Sequence, residues 1–207
     1  MKNIFINTVI ILSFIPFCNL FSKDFKLSGL EEGDIIFHES KSRQSIAIKL
    51  ATKSKYTHLG IIFKYKNVYQ VLEAIEPVKI TSLNSFIERG KNNHFVIKRL
   101  RDRKKILSKE VVQKMKTYGN SLLGKHYDIY FEWDDKRFYC SELVWKLYNK
   151  FAKVRIGELK KLKDFDLSSP MVKSLIEKRF GAKINYEEPV ISPNDMFLSK
   201  ELITVVD

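Results

Sequence analysis

Cysteine is nearly absent from the 207-residue chain, which has only Cys18 and Cys140. That excludes a multi-disulfide scaffold and a cysteine-based zinc cluster, and leaves any thiol chemistry to a single residue. Long apolar runs are equally scarce. After the stretch Ile4 to Phe21 no second one occurs, so a multi-span membrane protein is excluded. No repeat, low-complexity tract or Gly/Ser/Pro-rich linker follows Leu27, and residues 28–207 read as one folding unit. Acidic residues are in deficit, 24 against 37 Lys and Arg, for a net charge of +13. Such a balance suits anionic surroundings: a cell wall, membrane headgroups or nucleic acid.

What the chain does have is apolar and aromatic weight, 44% and 13% of residues, enough for a packed core and too much for a disordered chain. The basic residues crowd Lys98 to Lys116, where nine of them face only Asp102 and Glu110. This reads as a solvated helix face or as a surface for wall or headgroups. Nucleic acid is not expected, because no interleaved aromatic and glycine pattern accompanies the charge.

Residues 1–22 read as a signal peptide: Lys2, then the core Val9-Ile10-Ile11-Leu12, then Pro16 ahead of the polar Ser22-Lys23-Asp24. The expectation is export, to the periplasm, the cell envelope or the medium; retention of the segment as an anchor would also place the body outside the cytoplasm. Lipidation at Cys18 is disfavoured, since bulky Phe17 stands where a lipobox wants a small residue. After cleavage Cys140 is the sole thiol. A lone thiol in an exported protein is a liability to oxidation, better explained by use than by accident.

The periodicity predicts an α+β domain. A strand is expected at Ile35–Phe37, then a helix capped by Ser42 and ending near Thr52 to Ser54. His58 to Tyr65 and Val68 to Ile75 read as a hairpin around Lys66-Asn67. A short helix at Thr81–Arg89 closed by Gly90, a strand at Phe95–Leu100, a helix from Ser108 stopped at Gly124 and one from Ser169-Pro170 to Gly181 complete the reading.

Cys140 opens another helix, because Val144, Leu147, Tyr148 and Phe151 recur at three- and four-residue spacing. At a helix N-terminus, unpaired backbone N–H groups and the positive end of the dipole favour the thiolate, the nucleophilic form. The same spacing also fits a small buried core cysteine, so position alone does not decide. A thiolate nucleophile needs an imidazole and a group to orient it. Of His38, His58, His94 and His126, His58 stands out at the head of the apolar strand His58-Leu59-Gly60-Ile61-Ile62-Phe63. If Lys66-Asn67 is a two-residue turn, Tyr65 pairs with Val68 and Gly60 lies opposite Glu73. His58 and Glu73 are then diagonal neighbours on one face, about 7–8 Å apart at Cα, with Gly60 leaving the space between them empty. A three-residue turn would put them on opposite faces.

Gly33-Asp34-Ile35-Ile36-Phe37, Tyr56-Thr57-His58-Leu59-Gly60-Ile61, Val71-Leu72-Glu73-Ala74, Phe131-Glu132-Trp133, Tyr139-Cys140-Ser141-Glu142-Leu143-Val144-Trp145 and Ser192-Pro193-Asn194-Asp195 follow one another in order. This set resembles the YiiX/YebB-like family, the circularly permuted members of the NlpC-type papain-like superfamily, from about Gly33 to Leu202. The resemblance implies a permuted papain-like fold, with a nucleophile-bearing helix packed on an antiparallel sheet. It implies Cys140 as nucleophile, His58 as general base and Glu73 as the group that holds the imidazole, in the reversed order of histidine before cysteine. It also implies that Tyr127 stands near the cysteine, beside the backbone N–H of Cys140, as an oxyanion donor. Trp133 and Tyr139 read as walls of the cleft or as core. His38, His94 and His126 match no family position and are expected at the surface.

The expectation that follows is a cysteine amidase or peptidase needing no cofactor, its substrate the peptide part of peptidoglycan. A lipid acyl hydrolase or acyltransferase with the same triad is the first rival, and a non-catalytic binding module the second. Cys140, His58 and Glu73 are of zinc-ligating types, but no further ligand is evident, and no metal is expected.

Overall fold

The computed structural model describes residues 27–207; the expected signal peptide at residues 1–22 lies outside them. Among the described residues no helix is long and apolar enough to cross a membrane. The frame is a six-stranded antiparallel sheet built from β1 (Ile35–His38), β2 (His58–Tyr65), β3 (Val68–Glu73), β4 (Lys79–Ser82), β5 (Val96–Leu100) and β8 (Leu202–Val206), in the order β4-β3-β2-β1-β5-β8. A two-residue pair, β6 (Lys160–Lys161) and β7 (Pro189–Val190), stands apart from it. The helices are α1 (Arg43–Thr52), α2 (Leu83–Glu88), α3 (Arg103–Ile106), α4 (Lys109–Ser121), α5 (Cys140–Leu147), α6 (Pro170–Phe180) and α7 (Pro193–Phe197).

The β2–β3 hairpin fixes the register on which the site depends. Lys66 and Asn67 both hold positive φ, 49° and 64°, as a two-residue turn of matching twist requires. Tyr65 pairs with Val68 and Ile61 with Leu72, so the sum of paired numbers is 133 throughout. Strand alternation then sorts the core. Ile35, Phe37, Leu59, Ile61 and Phe63 face α5, whose Leu143, Val144 and Leu147 pack on them, while Ile36, Ile62 and Val71 face α2 with Phe86 and Ile87. His38, His58 and Glu73 share the parity of the α2 face.

Two elements differ from the periodicity reading. β3 ends at Glu73 rather than Ile75, ahead of the Glu76-Pro77 turn. Thr81 and Ser82 belong to β4, and the helix starts at Leu83 with Ser82 as its cap, the Ser82 hydroxyl accepting from the Ser85 N–H. Pairing with β3 decided this, and short-range spacing carries no trace of it. Four of the nine cations from Lys98 to Lys116 are absorbed into the fold, while Arg101, Lys104, Lys105, Lys109 and Lys114 stay exposed. Arg99 holds Asp34 and Glu31, Arg103 holds Glu31, Lys116 holds Glu32, and Lys98 is buried against the carbonyl of Phe197.

Candidate active site

Cys140 is the first residue of α5 and is 2% exposed. The first-turn N–H groups of that helix have no intrahelical acceptor and point out of its N-terminus, where negative charge is favoured. Tyr139 caps the helix, its own N–H bonded to the Glu142 carboxylate at 3.3 Å. His58, at the head of β2, lies close enough to Cys140 for the charge there to act on its imidazole. Its Nε2 lies 2.7 Å from Glu73 Oε2, which leaves Nδ1 as the ring nitrogen available to the sulfur. The second oxygen of Glu73 accepts from the Arg89 guanidinium, and the carboxylate is wholly buried.

The electrostatics follow from these contacts. Burial by itself would depress the His58 imidazole; the charge at Cys140, with the hydrogen bond to Glu73 and its charge, outweighs it and lifts the pKa to about 9. Burial likewise pushes Glu73 up, but His58 and Arg89 win and hold it at about 2. The favoured state is therefore an imidazolium locked to a carboxylate, with the sulfur on its other side.

Tyr127 lies beside the same sulfur. Burial, then the charge at Cys140, raises its hydroxyl well above 10, so it stays protonated. Its oxygen accepts from Gln44 Nε2 at 3.2 Å, leaving its own proton free to be donated. Tyr139 is core and pocket wall together, its ring edge-on to Phe131 and its hydroxyl accepting from the Ile191 N–H at 3.2 Å. Trp133 stacks edge-on against Trp145 and does not line the cleft that holds Cys140.

Two clefts meet here. One opens on Cys140 and Tyr127 and is walled almost entirely by apolar groups, among them Ile48 and Ala51 of α1, Leu175 and Ile176 of α6, and Phe131 and Phe165. The other opens on His58 and is mixed, with Lys41, Thr57, Glu76 and Arg89 beside Ile75 and Ile129. Gln44, Ile48 and Tyr127 border both.

Three residues at the site escaped the sequence reading. His38, expected at the surface, is 1% exposed: β1 pairs it directly with His58, and its ring stacks on Phe86 at 4.4 Å. Burial, with the nearby charges of His58 and Arg89, drops its pKa to about 3, so it is neutral. Arg89 and Gln44 are the other two. The strand alternation from Ile36 places His38 on the Ile36 face, but only the β1–β2 pairing sets it beside His58, and that pairing is non-local. His94 and His126 are exposed, as expected.

A family model described as permuted papain-like amidase enzyme, YaeF/YiiX, matches residues 29–206, nearly the whole described chain. The chain belongs to this family. It is 44% identical over 176 residues to the uncharacterized protein YiiX of Escherichia coli (strain K12), covering 84% of this chain and 85% of that one. The crystal structure of metalloprotein yiiX from Escherichia coli O157:H7 superposes with a TM-score of 0.80 at 43% identity, over 86% of this chain and 97% of that one. The permuted papain-like α+β fold and the amidase class of enzyme are thus those of this chain. The residues do not fit the metal that the relative's description names. No group of three His, Cys, Asp or Glu side chains among the described residues is placed to hold an ion, and Glu73 is already engaged by a guanidinium.

Proposed function

We propose that Cys140, His58 and Glu73 act as a catalytic triad that transfers an apolar acyl group from an amide or ester to water. The observation that carries this is the composition of the cleft opening on the sulfur: a wall of aliphatic and aromatic side chains suits a hydrocarbon chain and offers a polar wall peptide few partners. It favours the lipid-directed reading over the peptidoglycan one.

The Cys140 sulfur, paired with the His58 imidazolium, attacks the substrate carbonyl carbon. The oxyanion is held by the first-turn N–H groups of α5 and the Tyr127 hydroxyl. The C–N or C–O bond breaks as His58 Nδ1 gives its proton to the leaving group, which departs through the cleft beside His58. The product at this stage is a thioester. Neutral His58 then takes a proton from water, the hydroxide adds to the thioester carbonyl, and the C–S bond breaks to release a carboxylic acid and restore the ion pair. Glu73 keeps Nδ1 aimed at the sulfur and stabilises the imidazolium throughout.

Rates measured on a series of N-acyl and O-acyl substrates, from acetyl to long-chain, test this beside purified wall muropeptides. The expected result is a kcat/KM that climbs with chain length, is abolished by Cys140→Ser, and falls for long chains only when Ile176→Trp fills the cleft. Muropeptide cleavage with no dependence on acyl length would overturn it.

A further inference from the structure

The outer face of α1 belongs to no interior. Ile46 and Leu50, one turn apart, are 49% and 41% exposed on a helix whose opposite face, through Ala47, Ile48 and Ala51, walls the apolar cleft. Arg43, Lys49 and Lys53 fall on the same outer stripe, three or four residues from one or other of the two. From Ser40 to Leu72 the chain carries Lys41, Arg43, Lys49, Lys53, Lys55, Lys64 and Lys66 and no acidic residue at all. Glu39 and Asp166 reach across to Lys49 and Lys53, at 2.9 and 3.1 Å, and no ion pair engages Arg43 among the described residues. The adjoining α6 adds an exposed Met171, at 47%.

We infer that the exposed face of α1 docks the enzyme on an anionic lipid surface. Exposed apolar side chains flanked by cations are what an interfacial helix needs: the aliphatic groups enter the headgroup boundary while Lys and Arg pair with phosphates. Two copies of this face would set like charges against each other, which disfavours self-association through it. The placement also has a use. One helix separates the bilayer from the cleft beside Cys140, so an acyl chain leaving the bilayer has only α1 to pass. The Lys98–Lys116 stretch is a poorer candidate, since it exposes no large hydrophobic side chain to enter the headgroup boundary. This inference rests on the acyl-transfer reading for its purpose, but not for its test.

The test uses residues 23–207. That span keeps the whole of residues 29–206 that the family model matches. Co-sedimentation is measured with vesicles of pure phosphatidylcholine and of phosphatidylcholine containing phosphatidylglycerol, at low and high salt. Wild type is expected on the anionic vesicles, weakening with salt, and Ile46→Asp/Leu50→Asp is expected to bind at least roughly tenfold more weakly. Arg43→Glu, which touches nothing in the core, is the second variant and is expected to weaken binding in the same direction. Iodoacetamide alkylation of Cys140 and turnover of a water-soluble short-chain ester should be unchanged in both variants, which separates lost docking from a damaged site. Absence of wild-type binding, or equal binding by the variants, overturns the docking surface even if the ester is turned over. A dimer in sedimentation velocity that only the Asp pair dissociates, without vesicle binding, overturns it in favour of a second copy. Vesicle binding lost in the variants supports it even if no acyl substrate is cleaved, a result that would count against the acyl-transfer reading alone.

Discussion

Replacing Glu73 by Gln keeps the shape of the site and removes its charge. The amide must then serve two neighbours that both need an acceptor: His58 Nε2 at 2.7 Å and the Arg89 guanidinium. If its oxygen turns to His58, the amide N–H2 faces Arg89 and a partly exposed cation loses its partner. If the oxygen turns to Arg89, the N–H2 donates to Nε2, the imidazole carries its proton on Nδ1, and neutral His58 has no lone pair facing Cys140 with which to act as base. Either way an opposite charge about 4 Å from the imidazolium is gone, about 4 kcal/mol at an effective dielectric of 20. A loss of ~10²–10⁴ in kcat follows, on the conversion of about 1.4 kcal/mol per tenfold. His58, held at about 9 in part by Glu73, titrates lower in the variant, so the alkaline limb of the alkylation profile of Cys140 moves to lower pH. The assay is the rate of iodoacetamide alkylation against pH for residues 23–207, beside turnover of an acyl ester. Glu73→Gln/Arg89→Gln should recover part of the loss, because it removes the stranded cation. An unchanged pH profile with kcat within about threefold of wild type would show that Glu73 does not orient His58.

Three further outcomes follow from the same geometry. Gly60→Ala is expected to lower both thermal stability, by about 1–3 kcal/mol, and turnover: a β-carbon there would run into Val71 and meet Glu73 Cβ at 3.2 Å, moving the carboxylate, as thermal melts and ester assays would show. Tyr127→Phe should cost ~10² in kcat with little change in Cys140 alkylation, since the hydroxyl acts on the oxyanion and not on the thiol; equal losses in both would contradict that role. Stability against denaturant should peak near pH 6.5. His38, lowered from 6.5 to about 3, gives stability that is present above 6.5 and lost as pH falls toward 3; His58, raised to about 9, gives stability that is full below 6.5 and lost as pH rises through 9. His38→Phe should flatten the decline between pH 6.5 and 4.5, by about 2 kcal/mol on the scale of 1.36 per unit; below 4.5 Glu73, held at about 2 in the fold against 4.5 when unfolded, adds its own loss.

The sequence by itself determined the local geometry of the site. A two-residue turn at Lys66-Asn67 and a period of two put His58 and Glu73 on one face, and a helical period starting at Cys140 put the thiol at a helix end; both follow from spacing within about fifteen residues. The ordered motifs likewise carried the family. Tertiary structure decided what spacing does not encode. His38 is buried beside His58 because β1 pairs with β2, Arg89 reaches Glu73 because α2 packs across β3, and Thr81 is a strand residue because β4 finds β3 as its neighbour. The apolar cleft is made from α1 and α6, more than a hundred residues apart, each with the mixed face of an ordinary surface helix. Burial converts such distant pairings into pKa shifts and into a pocket, and burial is a property of the whole packed chain rather than of any window along it.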